Sequence, residues 1–591
     1  MLRAKRQTYI YDDAGRLTEI KYYDPVDPVD PVDPVNPVKT ISFTYDKVGN
    51  LKTYNDGTTS ATYNYDAVYR KISETVNYGS FSKSYSYTYY GNGLKKTFTD
   101  PDGITYTYTY DANNQLTGIQ IPGQGTITYT AYDWNRPSNL SLPGGSMKNY
   151  AYDPLMRIKQ ITSKDPGQNE ILNYQYEYDR MNNIISKDTE HGLYDYGYDD
   201  LYRLNTVDNP DFDDESFTYD PLGNRLTAAN TTGNWSYNQN NELGGYDGTS
   251  FVYDNNGNMV QKTDDGIVTN FVYNTEDRLT EVRDGSSSLI ASYYYDPFGR
   301  RLWKEVSGVR TYFMYADEGL IGEYDATGTE IKTYGYQPDS TWTTNSLFMK
   351  IGSNYYFYQN DHLGTPQRMT DTNGAVVWSV KYESFGKVNI EVNTIENNLR
   401  FPGQHYDSDT GLHYNWFRYY DPGVGRYLRV DPLGFWSGIN LYTYCLNDPV
   451  NAIDPWGLLS YELNRQRRKT LNKGLMTKGV KTVAGVVVGS QVVKNLSKAG
   501  LGVTAGTIIK NRGAVATLGV SGTAINLAAT ALIKGVLISG AFYAGIEAGS
   551  NIGAYFDTLV DDGSGFLGLT SEFLESIGFG SGIPNSDPCE K

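Results

Sequence analysis

Two short phrases carry acidic chemistry in this sequence. Asp431-Pro432-Leu433-Gly434-Phe435 and Asp454-Pro455-Trp456-Gly457-Leu458 follow one pattern, with 18 residues between them. Proline after each aspartate fixes its own φ and restricts the aspartate to extended backbone. Glycine two residues after the proline permits a sharp turn. Two carboxylates held close cannot both ionise, so one keeps its proton. The protonated partner then polarises a carbonyl while the ionised one activates a water. The residues alone fit ordinary Asp-Pro turns at least as well, because Asp-Pro-x-Gly is common turn chemistry. A nearby cation would steady an ionised carboxylate. Arg426 is the first candidate and Arg429 the second.

Other catalytic chemistries find little support. The four histidines, His191, His362, His405 and His413, show no metal-ligand or triad spacing with a nucleophile. His362 stands beside Asp361 and reads as a fixed hydrogen-bonding residue in a turn. Cys445 and Cys589 are too few for a disulfide framework. No cofactor and no metal are expected.

The elements that must hold the two aspartates are repeats. A Tyr-Asp phrase begins at Tyr11, Tyr45, Tyr65, Tyr110, Tyr132, Tyr152, Tyr178, Tyr198, Tyr219, Tyr253 and Tyr295, with Tyr-Asn variants at Tyr237 and Tyr273. A fixed phrase at this period signals a solenoid or coiled sheet. In Tyr106-Thr107-Tyr108-Thr109-Tyr110 every second side chain is a ring, which puts the rings on one face of a strand. Asp111-Ala112-Asn113-Asn114 then turns the chain, and Leu116 and Ile119 open the return strand. Each unit is expected to be a hairpin that cannot bury its tyrosine face alone. The 55 tyrosines and 61 glycines agree with short strands and tight turns. Residues 24–38 differ: proline at every third position favours an extended coil, read as a spacer inserted in a hairpin loop.

The Tyr-Asp phrases resemble the YD repeats of Rhs proteins and of the C components of bacterial Tc toxins. Tyr358-Gln359-Asn360-Asp361-His362-Leu363-Gly364-Thr365-Pro366 resembles the Rhs signature. Arg418-Tyr419-Tyr420-Asp421-Pro422, Gly425-Arg426-Tyr427, Asp431 to Gly434, Asn440-Leu441-Tyr442 and Asn447 to Leu458 resemble the Rhs-associated core. The resemblance covers about residues 1–458. It implies a mainly β fold: a spiralling, hollow shell of YD-repeat hairpins whose core seals one end and cuts the chain. Asp431 and Asp454 become the family's aspartyl autoprotease pair, and cleavage is expected between Leu458 and Leu459. Phe435 departs conservatively from the leucine that usually ends the first phrase.

The implied organisation is a YD-repeat β-shell at 1–350, an Rhs-associated core at 351–458, and a variable C-terminal toxin domain at 459–591, mostly α. Composition changes at that last boundary. No Asp or Glu occurs from residue 463 to 546, where twelve Lys and Arg fall. This tail has no histidine and one cysteine, which argues against a His-dependent nuclease, a zinc deaminase or a Cys-His protease. Residues 513–533 are 21 uncharged residues, close to a bilayer-spanning helix. Small residues recur four apart at Gly540, Ala544 and Ala548. The effector is therefore expected to disrupt or permeabilise a target-cell membrane, and an enclosing shell would keep such a segment from aggregating.

The net charge of −17 makes nucleic acid an unfavoured partner of the whole chain. Expected partners are an immunity protein, a second shell or delivery protein, and the target-cell membrane. The expected location is secreted, delivered into a target cell, or on the cell surface, with no signal peptide visible at the start. The competing reading is a surface adhesion or carbohydrate-binding protein whose tyrosine faces stack on sugars. It requires those rings to be exposed.

Overall fold

The computed structural model describes residues 6–23, 36–434, 437–458 and 461–462. Most of the proline tract, and all but residues 461–462 of the expected, mostly α toxin domain at 459–591, lie outside these residues.

Twenty strands, from Arg6–Tyr11 to Arg225–Ala228, form one antiparallel sheet in which each pairs with the next. Sixteen more, from Ser236–Tyr237 to Val388–Asn393, form a second sheet of the same kind. His405–Asp407, Leu412–Asn415, Arg418–Asp421 and Arg426–Tyr427 make a small third sheet. Ala452–Ile453 pairs with Tyr461–Glu462. The fold is mainly β and built from consecutive hairpins, as the repeats predict.

One repeat explains the phrase. Thr105–Tyr110 pairs with Leu116–Ile121, and Tyr106 and Tyr108 are buried while Thr105 and Thr109 are exposed. The register slips by one residue at the tyrosine that ends the strand, a β-bulge repeated at Tyr45, Tyr65, Tyr152 and Tyr219. The aspartate after that tyrosine caps its own turn. Asp12 Oδ1 accepts the backbone N–H groups of Ala14 and Arg16, and Oδ2 accepts Nε of Arg16 at 2.7 Å. Arg16 then donates forward to the carbonyl of Asp46, 2.9 Å away. Tyr45 donates back to the carbonyl of Leu17 at 2.8 Å. The same clasp recurs at Asp66, Arg70 and Tyr89 and at Asp199, Arg203 and Tyr219. Tyrosine binds the preceding turn, aspartate closes its own, and arginine binds the next. The phrase thereby holds successive hairpins in register along one edge of the sheet.

Beyond the first strand the ring face is covered by protein. Phe298, at the tip of a turn in the second sheet, meets Tyr54 edge-on at 5.6 Å. Tyr106 of the first sheet lies 5.4 Å from Phe348 of the second. Buried ion pairs join the two sheets, Arg300 to Glu74 at 2.9 Å and Lys95 to Glu318 at 2.5 Å. The third sheet packs on the second through Trp416 on Trp342, at 3.9 Å, and Tyr419 on Tyr293. Among the described residues, the exposed rings are Tyr9, Tyr11, Tyr69 and Trp134; Tyr9 lies opposite the buried Ile20, so on the first strand the ring face is partly open. From Tyr54 to Tyr108 the same face is buried and so is not open for stacking on sugars.

Arg301 and Asp407 lock the third sheet to the second. Both are fully buried, and the guanidinium meets the carboxylate with two nitrogens, at 2.5 and 3.0 Å. Burial opposes ionisation of Asp407, but Arg301 and Lys304 override it and hold the carboxyl far below its usual range. Arg301→Ala would leave that carboxylate in the core with Lys304 and His405 as its remaining partners. A loss of about 3–5 kcal/mol is expected, read as a lower urea midpoint for unfolding. A midpoint unchanged from wild type would mean that the pair does not fasten the two sheets.

Candidate proteolytic site

The two acidic phrases are the repeat turn with one part changed. In Asp220-Pro221-Leu222-Gly223-Asn224, Oδ1 of the aspartate accepts the backbone N–H of Asn224, and Oδ2 accepts the Asn224 side chain at 2.9 Å. In Asp296-Pro297-Phe298-Gly299-Arg300, Nε of Arg300 fills the same place at 2.6 Å. The fifth residue of the phrases at Asp431 and Asp454 is Phe435 or Leu458, which carries no polar group. Asp454 keeps the backbone half of the turn, its Oδ1 accepting the N–H of Leu458 at 3.0 Å. Asp431 Oδ1 accepts the N–H of Leu433 at 2.8 Å. Each Oδ2 is left for a partner from outside the turn. Gly457 takes φ +65°, and a β-carbon there would lie 2.3 Å from the carbonyl oxygen of Asn415, so only glycine fits this turn.

That partner is one guanidinium. Arg418 begins the strand Arg418–Asp421, which pairs back on Leu412–Asn415 with Asn415 opposite Arg418. The intervening tight turn carries Trp416 at φ +43°, with its ring packed on Trp342. Nη2 of Arg418 lies 2.8 Å from Asp431 Oδ2 and 3.1 Å from Asp454 Oδ2. The two oxygens are therefore under 6 Å apart. Arg418 also donates from Nε to the Gly457 carbonyl at 2.6 Å, from Nη1 to Leu441 at 3.1 Å, and from Nη2 to the Leu458 carbonyl at 3.2 Å. The last of these is the carbonyl of the peptide bond at which cleavage is expected. Leu459, on the other side of that bond, lies outside the described residues.

The two carboxylates differ in their surroundings. Asp454 Oδ2 accepts Tyr427 Oη at 2.7 Å besides Arg418. Tyr427 is itself fixed by Nδ2 of Asn415 and lies beneath the guanidinium, 3.5 Å from ring centre to Cζ. At Asp431 Oδ2 the contact with Arg418 is an ion pair without an aligned hydrogen bond. Burial pushes the Asp431 carboxyl up to about 6; Arg418 and the Leu433 N–H oppose the rise, and the Asp454 charge adds to it. Both aspartates are almost fully buried, at 3% and 1% exposure. A small cavity is bordered by both, together with Arg418, Leu458, Ser437 and Cys445, with space on the scale of one water. Burial drives the Cys445 thiol well above its ordinary value, so a thiolate nucleophile is disfavoured here.

Asp431, Asp454 and Leu458 are thus brought together, whereas Arg426 is not. Its guanidinium donates to the Asn241 carbonyl at 2.7 Å and to Asn224 Oδ1 at 3.3 Å. Strand geometry gives the reason. Neighbouring side chains on a strand point to opposite faces, and Tyr427 takes the face toward Asp454. Arg429 donates to the Asp277 carbonyl. The residue that sequence reasoning missed is Arg418. Its signal is indirect: an apolar fifth residue in both turns leaves two carboxylate oxygens in need of an outside donor. His362 lies in the turn closed by Asp361, and its Nε2 donates to the Val450 carbonyl at 2.8 Å.

Comparison with known proteins gives the family to which the sequence is similar. The Teneurin YD-shell family matches residues 3–200 and 151–450. The double-stranded DNA deaminase toxin A of Burkholderia cenocepacia is 33% identical over 354 residues, which cover 53% of this chain and 24% of that protein. The toxin protein Tse5 of Pseudomonas aeruginosa is 27% identical over 354 residues, covering 48% of this chain and 27% of that one. The chain thus spans about a quarter of the length of these relatives. A solved structure of the Photorhabdus luminescens Tc holotoxin pore superposes with a TM-score of 0.63 at 18% identity, over 78% of this chain and 26% of that chain, a likeness of fold.

Proposed function

The chain belongs to the Teneurin YD-shell family, and we propose that it is an Rhs-type toxin whose core cuts its own backbone between Leu458 and Leu459 to free a C-terminal effector. The observation that carries this reading is the single guanidinium shared by Asp431, Asp454 and the Leu458 carbonyl. Asp454 acts as the base and Asp431 holds the proton. A water attacks the Leu458 carbonyl carbon and gives its proton to Asp454. Arg418 stabilises the negative charge that develops on the carbonyl oxygen. Asp431 passes its proton to the Leu459 nitrogen as the C–N bond breaks. The products are the Leu458 carboxylic acid and the Leu459 amine, with one proton moved from Asp431 to Asp454, and no metal or cofactor enters the balance. Mass spectrometry of the purified chain tests it. Two pieces are expected, residues 1–458 and residues 459–591. A single intact chain, or a new N-terminus elsewhere, would overturn the reading.

For the effector we favour membrane damage, on the uncharged run 513–533 and the acid-free, basic stretch before it. That run lies outside the described residues. A second reading, an effector that acts on nucleic acid, is favoured by the name of the Burkholderia relative. The absence of histidine from the tail separates it from His-dependent nuclease chemistry. Purified residues 459–591 should release dye from anionic liposomes and leave plasmid DNA and tRNA unchanged. The reverse pattern would favour the second reading. An immunity protein, a delivery protein, a second shell chain and export from the producing cell complete the proposal.

A further inference from the structure

Residues beyond the scissile bond return to the core. Tyr461 pairs with Ile453 and Glu462 with Ala452 in an antiparallel ladder. Ile453 directly precedes Asp454, so the paired residues bracket the bond to be cut. Ala452 and Ile453 are a fixed template, buried at 2% and 3% exposure. The segment before them is tied down at several points. Asn451 Oδ1 accepts the N–H of Ile184 at 2.8 Å, Asn451 Nδ2 donates to Asp448, and His362 donates to the Val450 carbonyl.

We propose that the autoprotease recognises the downstream side of its substrate as a β-strand, through the main chain of residues 461 and 462. This rests on the cleavage reading above and adds its specificity. Pairing of this kind draws on N–H and C=O groups that every residue but proline offers, and it is indifferent to side-chain identity. The substrate class is therefore any C-terminal domain whose third and fourth residues after the cut can extend and donate. A core so built cuts free unrelated effectors without being redesigned. Release follows from the same geometry. Two residue pairs form only while the chain is continuous, because continuity keeps the strand at high effective concentration. Scission removes that constraint, and the downstream strand leaves.

Proline supplies the test, since it lacks the N–H and fixes φ. Full-length chains are made in a cell-free system, and the fraction still intact is followed in time. The double change Tyr461→Pro with Glu462→Pro should slow cleavage by about tenfold or more. Tyr461→Ala with Glu462→Ala, Tyr461→Thr with Glu462→Val, and Arg465→Pro should each stay within about threefold of wild type. Equal cutting of the double-proline chain would overturn strand recognition, and an Asp454→Asn chain that stays whole beside it would leave the aspartyl reading standing. Slowing by the alanine pair as large as by the proline pair would also overturn it, in favour of side-chain recognition. A wild-type chain left uncut at Leu458 would remove both proposals.

Discussion

Asp454→Asn should leave the chain whole. The asparagine oxygen still accepts the Leu458 N–H, so the turn survives, but the residue can no longer take a proton from water. Removal of a positioned general base lowers a rate by roughly 10²–10⁴-fold, enough to turn complete cutting into none on the timescale of a purification. Asp431→Asn should cost a similar amount for the opposite reason, since an amide cannot hand its proton to the leaving nitrogen. The pH profile separates the two roles. Burial holds the Asp431 carboxyl up at about 6, so the proton is present below that value and is lost above it. The wild-type rate is expected to fall about tenfold for each pH unit above that point. Residual cutting by the Asp431→Asn chain should lack this limb. The same alkaline limb in that variant would assign the proton to another group, and unimpaired cutting in both variants would remove the dyad altogether.

Why the fold was legible follows from the repeat itself. Rings at every second position of Tyr106 to Tyr110 could satisfy only one face of a strand, and Asp111 to Asn114 could only turn it. What the pattern did not disclose was the clasp, in which Tyr45 reaches back to Leu17 and Arg16 forward to Asp46. Those contacts join residues about 30 apart, and their partners are backbone carbonyls, which no side-chain pattern marks. At the site, the two aspartates are legible through the resemblance to the Rhs-associated core, since the same Asp-Pro-x-Gly phrase at Asp220 and Asp296 is an ordinary turn. For the cation, proximity in sequence to the first phrase points to Arg426 and Arg429. Strand alternation sends Arg426 to the far face. The pairing of Asn415 with Arg418 instead delivers a guanidinium from thirteen residues upstream of Asp431. The comparison that would have exposed this lies within the sequence: Asp220 and Asp296 have a polar fifth residue in their turns, and Asp431 and Asp454 do not.

Arg418→Lys should abolish cleavage while keeping the core folded. Lysine preserves the positive charge that two buried carboxylates require, so the large penalty of an unpaired buried charge is avoided. It does not preserve the fork. Arg418 reaches the carbonyls of Gly457, Leu441 and Leu458 and both aspartates through three nitrogens at once, and a single ammonium cannot span those positions. Loss of the donor at the Leu458 oxygen removes the group that would meet developing negative charge, worth roughly 10²–10³-fold in rate. Arg418→Ala should do more. It strips the counter-ion from Asp431 and Asp454 together, and destabilisation of about 3–5 kcal/mol is expected on top of lost cutting. The contrast between the two variants is the informative measurement. Urea midpoints near wild type for the lysine chain, with cutting absent, assign Arg418 to the chemistry of the bond. A lysine chain that cuts at the wild-type rate would reduce Arg418 to a counter-ion, and the carbonyl would then have to be polarised by the Asp431 proton alone.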